Sequence, residues 1–349
     1  MVEDRCAFVD YDWGDPWRNL AWETCLFERV AAEARAGVRL FVAAVWQNDD
    51  TIVIGRNQDP RAECDMSVVK ARGVKVARRF TGGGAVYHDM GNLNFTFCLP
   101  RADYDVSWTS GVVLGAVRAL GVRAELSGRN DILADGRKFS GNAFRTEKYA
   151  GLHHGTILIR SDARNIRDCL TPDKLKFKRA ETASVESRVV TLSELVPELT
   201  VARVKRAVKE RFLQEVGALA PGVAVLECGR GDGASLVDAA RFEEVSRLYA
   251  SEEWIWGAAP AASELVGYFP WGKLALSFFP RDGKVYDCGI ATDSLHVDVW
   301  RRLKGAWIGK DYAKGALLEG VDKELAAAAG DLAGVLRDVR RFVQGATLP

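Results

Sequence analysis

Between residues 78 and 156 lie three stretches whose side chains could do chemistry together. The first is Arg78-Arg79-Phe80-Thr81-Gly82-Gly83-Gly84, followed by Ala85-Val86-Tyr87-His88-Asp89-Met90-Gly91-Asn92. Glycine has no Cβ, so three in a row let backbone N–H groups approach an anion at contact distance. A plain glycine hairpin beside a salt-bridged arginine pair is the competing reading. The second stretch runs from Asp131 through Asp135-Gly136-Arg137-Lys138 to Ser140, and the third is His153-His154-Gly155-Thr156. Three of the chain's 4 histidines fall within these stretches. A site that takes an acid by its carboxylate and a nucleotide by its phosphates needs backbone donors, a fixed cation and a carboxylate for Mg²⁺. All three kinds of group are present. The glycine run fits neither GxxxxGK[ST] nor GxGxxG, which disfavours a P-loop NTPase and a Rossmann dehydrogenase.

These groups need a sheet to hold them. After the glycines, Leu93, Phe95 and Phe97 alternate with Asn92, Asn94 and Thr96, the two-residue period of a half-buried strand. Asp135-Gly136 is a two-residue hairpin signal. It sets Leu133 opposite Lys138, Ile132 opposite Phe139 and Asp131 opposite Ser140, which puts Asp131, Lys138 and Ser140 on one face. Read alone, the Asp131 and Lys138 pair is an exposed ion pair worth at most ~1 kcal/mol. Adjacent strand residues face opposite ways, so one of His153 and His154 is expected in the core and the other at the site. With no cysteine or carboxylate at ligand spacing, that pair is not expected to hold a metal.

Elsewhere the chain reads as a strand at residues 6–11, a helix at 17–36 started by Pro16 and stopped by Gly37, and a strand pair, Leu40–Trp46 with Thr51–Ile54, joined by residues 47–50. Helices are expected near 64–72 and 107–120. Residues 174–188 place four bases within six positions and then lose periodicity, as a solvated loop does or a mobile clamp on a polyphosphate. Residues 201–212 read as an amphipathic helix with a basic face. Residues 217–235 are rich in Gly, Ala and Pro, a helix is expected at 236–250, and the domain boundary falls near 250. The remainder reads as strands at 274–279 and 284–290 about the turn Pro280-Arg281-Asp282-Gly283, with two or three helices.

The bulk numbers suit two ordinary globular domains: 349 residues, 48% hydrophobic and 27% charged. A net charge of +1 supplies no general field for nucleic acid or anionic lipid. The longest apolar run, Leu40–Trp46, is far short of the ~20 residues that span a bilayer. The 7 scattered cysteines contain no CxxC and suggest neither a disulfide framework nor a zinc site. Their usage and the acidic opening Met1-Val2-Glu3-Asp4 lead to the expectation of a cytoplasmic protein, without membrane or nucleic-acid partners and monomeric.

Residues 78–92 resemble the RR-x-(S/T)-GGGAV-(F/Y)-HD-x-GN signature of the lipoate-protein ligase A family. Gly128-Arg129-Asn130-Asp131 resembles its GRND element, Gly136-Arg137-Lys138-Phe139-Ser140-Gly141-Asn142-Ala143 its GRK-SG element, and His153-His154-Gly155-Thr156 its HHGT. Pro16 to Glu23 and Trp46 to Gly55 are similar to its N-terminal features. Ser184 to Leu192 continue the likeness, and Trp271-Gly272 with Thr292-Asp293-Ser294-Leu295 look like its accessory domain.

The resemblance implies an α+β fold: a mixed sheet with helices, shared by biotin and lipoate ligases and related to class II aminoacyl-tRNA synthetases. It covers residues 1–249, with a small C-terminal α/β domain at 250–349. It also implies a two-step reaction, in which lipoate and ATP with Mg²⁺ give lipoyl-AMP, and a lysine of an acceptor domain then takes the lipoyl group. The acceptors would be lipoyl domains of 2-oxoacid dehydrogenase complexes or the glycine cleavage H-protein. Lys138 would hold the adenylate oxygens as a fixed charge and so be the catalytic residue. Trp46, Arg79, Thr81, Gly82, Gly83, Gly84, His88 and Asn92 would line the lipoyl pocket. Val86, Tyr87, Asn130, Asp131, Lys138, His154, Ser184 and Arg188 would meet the nucleotide, and Asp131 would be the metal ligand.

The family's KG-xx-SVRSRV loop is altered here: its Gly is missing from the stretch Lys178 to Ala183, and Glu186 replaces its first Arg. The rival readings are an octanoyl or lipoyl transferase, a non-catalytic lipoate binder and a nucleic-acid module. A transferase needs an activated thiolate, yet residues 121–137 contain no cysteine, and Cys288-Gly289-Ile290 is expected inside a strand of the accessory part.

Overall fold

The computed structural model describes residues 4–127, 131–170, 189–228, 236–257 and 265–346. Its strands are β1 (Arg5–Asp10), β2 (Leu40–Trp46), β3 (Thr51–Ile54), β4 (Lys75–Arg78), β5 (Val86–His88), β6 (Asn92–Pro100), β7 (Ala124–Ser127), β8 (Asp131–Ala134), β9 (Arg137–Thr146), β10 (Ala150–Leu158), β11 (Ala224–Cys228), β12 (Leu265–Phe269), β13 (Gly272–Arg281) and β14 (Lys284–Thr292). The helices are α1 (Pro16–Arg35), α2 (Pro60–Glu63), α3 (Met66–Arg72), α4 (Val106–Ala119), α5 (Ala163–Cys169), α6 (Leu192–Leu195), α7 (Val201–Leu219), α8 (Ala239–Tyr249), α9 (Glu252–Trp256), α10 (Val297–Trp307), α11 (Lys314–Ala326) and α12 (Asp331–Gly345).

Eight strands form one mixed sheet in the order β11-β1-β2-β6-β10-β9-β8-β7. Only β1 runs parallel to its neighbours, β11 and β2. The run Leu40–Trp46 is apolar throughout because both faces of β2 are covered: Phe41, Ala43 and Val45 pack with α4 and α7, while Leu40, Val42, Ala44 and Trp46 pack with α1 and α8. Helix α1 starts where Asp15 accepts from the N–H groups of Trp17 and Arg18, with Pro16 in the first turn. A second sheet, β4-β3-β5, carries the glycine loop between β4 and β5. The third, β12-β13-β14, buries Leu274, Leu276 and Phe278 against α10, α11 and α12. Its tight turn has Asp282 and Gly283 at φ of 53° and 73°.

The structure corrects the sequence reading in four places. Strands β2 and β3 are not a pair: β2 lies in the large sheet and β3 joins β4 and β5, so the chain changes sheet at residues 47–50. In the hairpin, Leu133 does face Lys138, but a bulge then sets Ile132 opposite Ser140 and Asp131 opposite Gly141. The extra residue lets Phe139 and Ser140 both be buried, which strict alternation forbids. Strand β6 is buried on both faces instead of one, since α1 covers its polar side. Residues 217–235, without an expected element, supply the edge strand β11.

Helix α9, just past the expected boundary at 250, packs Ile255 into the cluster around β3 and β4. The C-terminal part meets the rest at the glycine loop. Gly83 N–H donates to Ser294 O at 3.2 Å and Thr292 N–H donates to Asn57 O at 2.8 Å.

Candidate functional site

A cavity of about 110 Å³ lies between the glycine loop and the polar side of β6 and β10. Its walls mix Leu20, Trp46, Val53, Val86 and Phe95 with Arg79, His88, Asn94, Lys138, Asn142 and His154. An apolar slot with few polar groups suits a chain-like ligand carrying one polar end.

The glycine wall is held by buried arginines. Arg79 donates four hydrogen bonds, to Val53 O at 3.0 Å, Gly82 O at 3.1 and 2.8 Å, and Gly84 O at 2.7 Å. Burial lowers it to about 10, so it stays charged at neutral pH. Arg78 donates to the carbonyls of Gly55, Arg56, Gln58, Trp254 and Ile255. A Cβ on Gly55 would lie 2.1 Å from Gly83 O, and one on Gly82 2.1 Å from Ser294 O. These two glycines are therefore required by close approach of one backbone to another. The expectation of free loop N–H groups is only partly met, since Gly83 N–H is already spent on Ser294.

A buried relay ties this wall to the sheet. His154 Nε2 lies 2.7 Å from Thr81 Oγ1, its Nδ1 lies 2.8 Å from Glu23 Oε1, and Thr96 donates to the same oxygen at 2.5 Å. Glu23 is fully buried, and its other oxygen has no hydrogen-bond partner among the described residues. The deeper end is a second chain, in which Asn19 Nδ2 donates to Asn48 Oδ1 at 2.9 Å and Asn48 Nδ2 lies 3.1 Å from His88 Nδ1. Burial, then repulsion from Arg79 and His154, drives His88 down to about 3. Neutral His88 thus accepts from Asn48 at Nδ1 and carries its hydrogen on Nε2. That Nε2 and Asn94 Nδ2 are buried without partners among the described residues, and both residues line the cavity.

The other wall carries Lys138, whose Nζ sits 2.8 Å from Asp131 Oδ1, both side chains about one-third exposed (37% and 36%). Val190 N–H donates to Lys138 O at 2.9 Å, pinning the strand on its outer side. Gly141 gives the ammonium its seat, because a Cβ there would lie 3.0 Å from Nζ. Under this floor His153 joins Thr109 Oγ1 at 2.8 Å and Asn142 Oδ1 at 2.9 Å, and burial lowers it to about 3.

Of the expected residues, Trp46, Arg79, Gly83, Gly84, Val86, His88, Lys138 and His154 line the cavity. Thr81, Gly82 and Asn92 stand behind it. Tyr87 turns to the opposite side of β5, where its hydroxyl donates to Asp50 at 2.6 Å. Asn130, Ser184 and Arg188 lie outside the described residues. Glu23, Asn19 and Asn48 were not anticipated. Their signal was two polar residues, Asn19 and Glu23, four apart on the face of α1 that also holds Leu20, Phe27 and Val30. Among the described residues no three His, Cys, Asp or Glu side chains gather as a metal site, and Asp131 offers one carboxylate already paired with Lys138. That donor set does not fit a resident metal. No described helix is long and apolar enough to cross a membrane.

The fold is similar over 97% of this chain and 99% of the other to P. falciparum LipL1 in complex with lipoate, at 27% identity and a TM-score of 0.81. The bipartite lipoate protein ligase of T. acidophilum, described with its E2 lipoyl domain, matches 75% of this chain and 99% of its own at 25% identity and a TM-score of 0.59. A lipoate-protein ligase A bound with ATP shares the fold at 23% identity, 73% and 99% coverage and a TM-score of 0.57. These likenesses establish the α+β, class II synthetase-like fold of lipoate ligases. Residues 15–213, more than half of the chain, match the family description "Lipoyl protein ligase A/B catalytic domain", and the chain belongs to that lipoate-protein ligase family.

Proposed function

We propose that this protein is an ATP-dependent lipoate-protein ligase. The observation that carries the reading is the placement of Lys138, an ammonium at one wall of an apolar slot that no cysteine lines among the described residues. The acyl tail would lie against Trp46, Leu20 and Phe95, a flat apolar surface that fits a chain without hydrogen-bonding groups. The carboxylate would then meet Lys138, whose fixed charge favours the form in which oxygen charge develops.

In the first step a carboxylate oxygen attacks the α-phosphorus of ATP and pyrophosphate leaves. In the second, a neutral lysine amine of the acceptor attacks the acyl carbon, AMP leaves, an amide forms and one proton is released. Lys138 acts in both as a donor of hydrogen bonds, not as a nucleophile. Mg²⁺ would arrive with the nucleotide phosphates, and no step rests on it here. Lipoyl domains of 2-oxoacid dehydrogenase complexes or the H-protein are the proposed acceptors, in keeping with the E2 lipoyl domain described with the T. acidophilum protein.

A transferase acting through a cysteine finds less support. Burial pushes Cys6, Cys25, Cys64 and Cys288 up to about 12 and raises Cys98 as well, which keeps these thiols protonated and inert.

The test is pyrophosphate release with lipoate, octanoate or biotin, with and without an apo acceptor domain. Release with ATP and lipoate is expected, and Lys138→Ala should lower turnover by roughly 10² or more. Transfer from a carrier-bound acyl donor without ATP would overturn the ligase reading.

A further inference from the structure

A second cavity is larger than the first. It holds about 600 Å³ between the loop and helix of the main body, residues 56–59 and α9, and the open face of β13 and β14. Most charges on its wall are already satisfied. Arg78 is spent on five carbonyls, Lys304 pairs with Asp287 at 2.8 Å, and Asp59 caps α2.

Two donors are not. The half-buried Arg56 guanidinium lies over the Trp254 ring at 4.2 Å and has no acceptor among the described residues. Trp300 is 3% exposed, lines the cavity, and its indole N–H has no acceptor either. Across the seam, Arg301 among the described residues pairs with Asp298, at 3.5 Å, too long for a hydrogen bond. Asp298 is in turn 3.7 Å from Arg145, so one carboxylate faces two guanidinium groups, with Glu147 holding Arg145 from its other side at 2.7 Å. Burial, then Arg301, lowers the Arg56 pKa, the direction expected of a cation set near other cations, with Asp298 opposing in part. Trp256, Phe279 and Tyr286 supply flat apolar surface on the same wall.

We propose that this cavity is a second ligand site, separate from the acyl slot, for a small molecule that carries a carboxylate, sulfonate or phosphate on a flat apolar body. The oxyanion takes the donors of Arg56 and faces Arg301, while the Trp300 ring lines the cavity with its N–H closed off from it. The flat body lies along the aromatic wall, where stacking and desolvation strengthen the contact. Because Arg56 belongs to the main body and Arg301 to α10, an occupant bridges the two.

The probe is 8-anilinonaphthalene-1-sulfonate, an aromatic sulfonate whose fluorescence reports binding, titrated into the full chain with saturating lipoate present to fill the slot. One site per chain is expected. Arg56→Gln should weaken it roughly tenfold, the value of a hydrogen bond to a charged group, and Trp256→Ala should weaken it further. Inorganic phosphate alone should bind far more weakly than the probe. Equal affinity in wild type and Arg56→Gln, each shown folded by an unchanged melting temperature, would overturn the proposal. So would loss of probe binding on adding lipoate. Pyrophosphate release is read separately and should be unchanged in Arg56→Gln, so a failed ligase assay leaves this test intact.

Discussion

The two walls of the acyl slot are built on opposite plans. The glycine wall is buried and over-determined: Arg79 alone bonds three backbone carbonyls, and Thr81, His154, Glu23 and Thr96 form an unbroken chain beneath it. The hairpin wall is partly in water and rests on the single pair of Lys138 and Asp131. Buried hydrogen bonds to a charged group are strong and costly to remove, whereas an exposed pair is screened and weak. The difference teaches that the slot has one wall fixed by folding and one charge left free to answer a ligand.

Breaking the buried wall should have the largest effect on stability. Arg79→Gln removes the fork that gathers the carbonyls of Val53, Gly82 and Gly84, leaving buried acceptors unpaired. A loss of roughly 4 kcal/mol is expected, about what several such acceptors cost together. Urea denaturation measures it. A change below about 1 kcal/mol would mean that the loop holds itself and that the contrast between the walls is false.

Acid probes the same wall and its floor. His88 and His153 are both held near 3 by burial, while in an unfolded chain a histidine titrates near 6.5. Below that pH the unfolded chain takes up protons that the folded one refuses. The stability is therefore fully present above about pH 6.5 and is lost as pH falls toward 3, by about 2 kcal/mol per histidine at pH 5. Denaturation curves at pH 7.5 and pH 5 should show this fall. Equal stability at the two values would require both rings to be solvated.

How much of this was legible follows from the same physics. Short-range signals carried the hairpin turn at Asp135-Gly136, the strand Leu40–Trp46, the start of α1 and the pairing of Leu133 with Lys138, because each depends on residues close in sequence. The burial of Asn92, Asn94 and Thr96 was not legible, since polar residues on a strand look solvated until α1 is known to cover them. Partners far apart in the chain were hidden for the same reason: Glu23 with His154, and Arg78 with Trp254 and Ile255. The bulge at Ile132 and Leu133 was missed because alternation counts residues and not the space that Phe139 and Ser140 must fill. Arg79 shows the cost of reading residue type alone. A cation beside glycines suggested a ligand contact, and the structure gives most of its donors to the loop itself.

The hairpin wall offers the smallest effect and the sharpest reading of the comparison. Asp131→Asn keeps the shape and a hydrogen-bonding oxygen beside Lys138 but removes the negative charge. With both partners more than a third exposed, at 36% and 37%, the stability change should stay below about 1 kcal/mol and shrink further in high salt. Lys138 remains charged and seated over Gly141, so pyrophosphate release should fall less than about tenfold, one decade being about 1.4 kcal/mol of barrier. A fall of about 10² with unchanged stability would show that Asp131 does more than hold the lysine, and that the exposed wall meets the reacting groups through both of its charges.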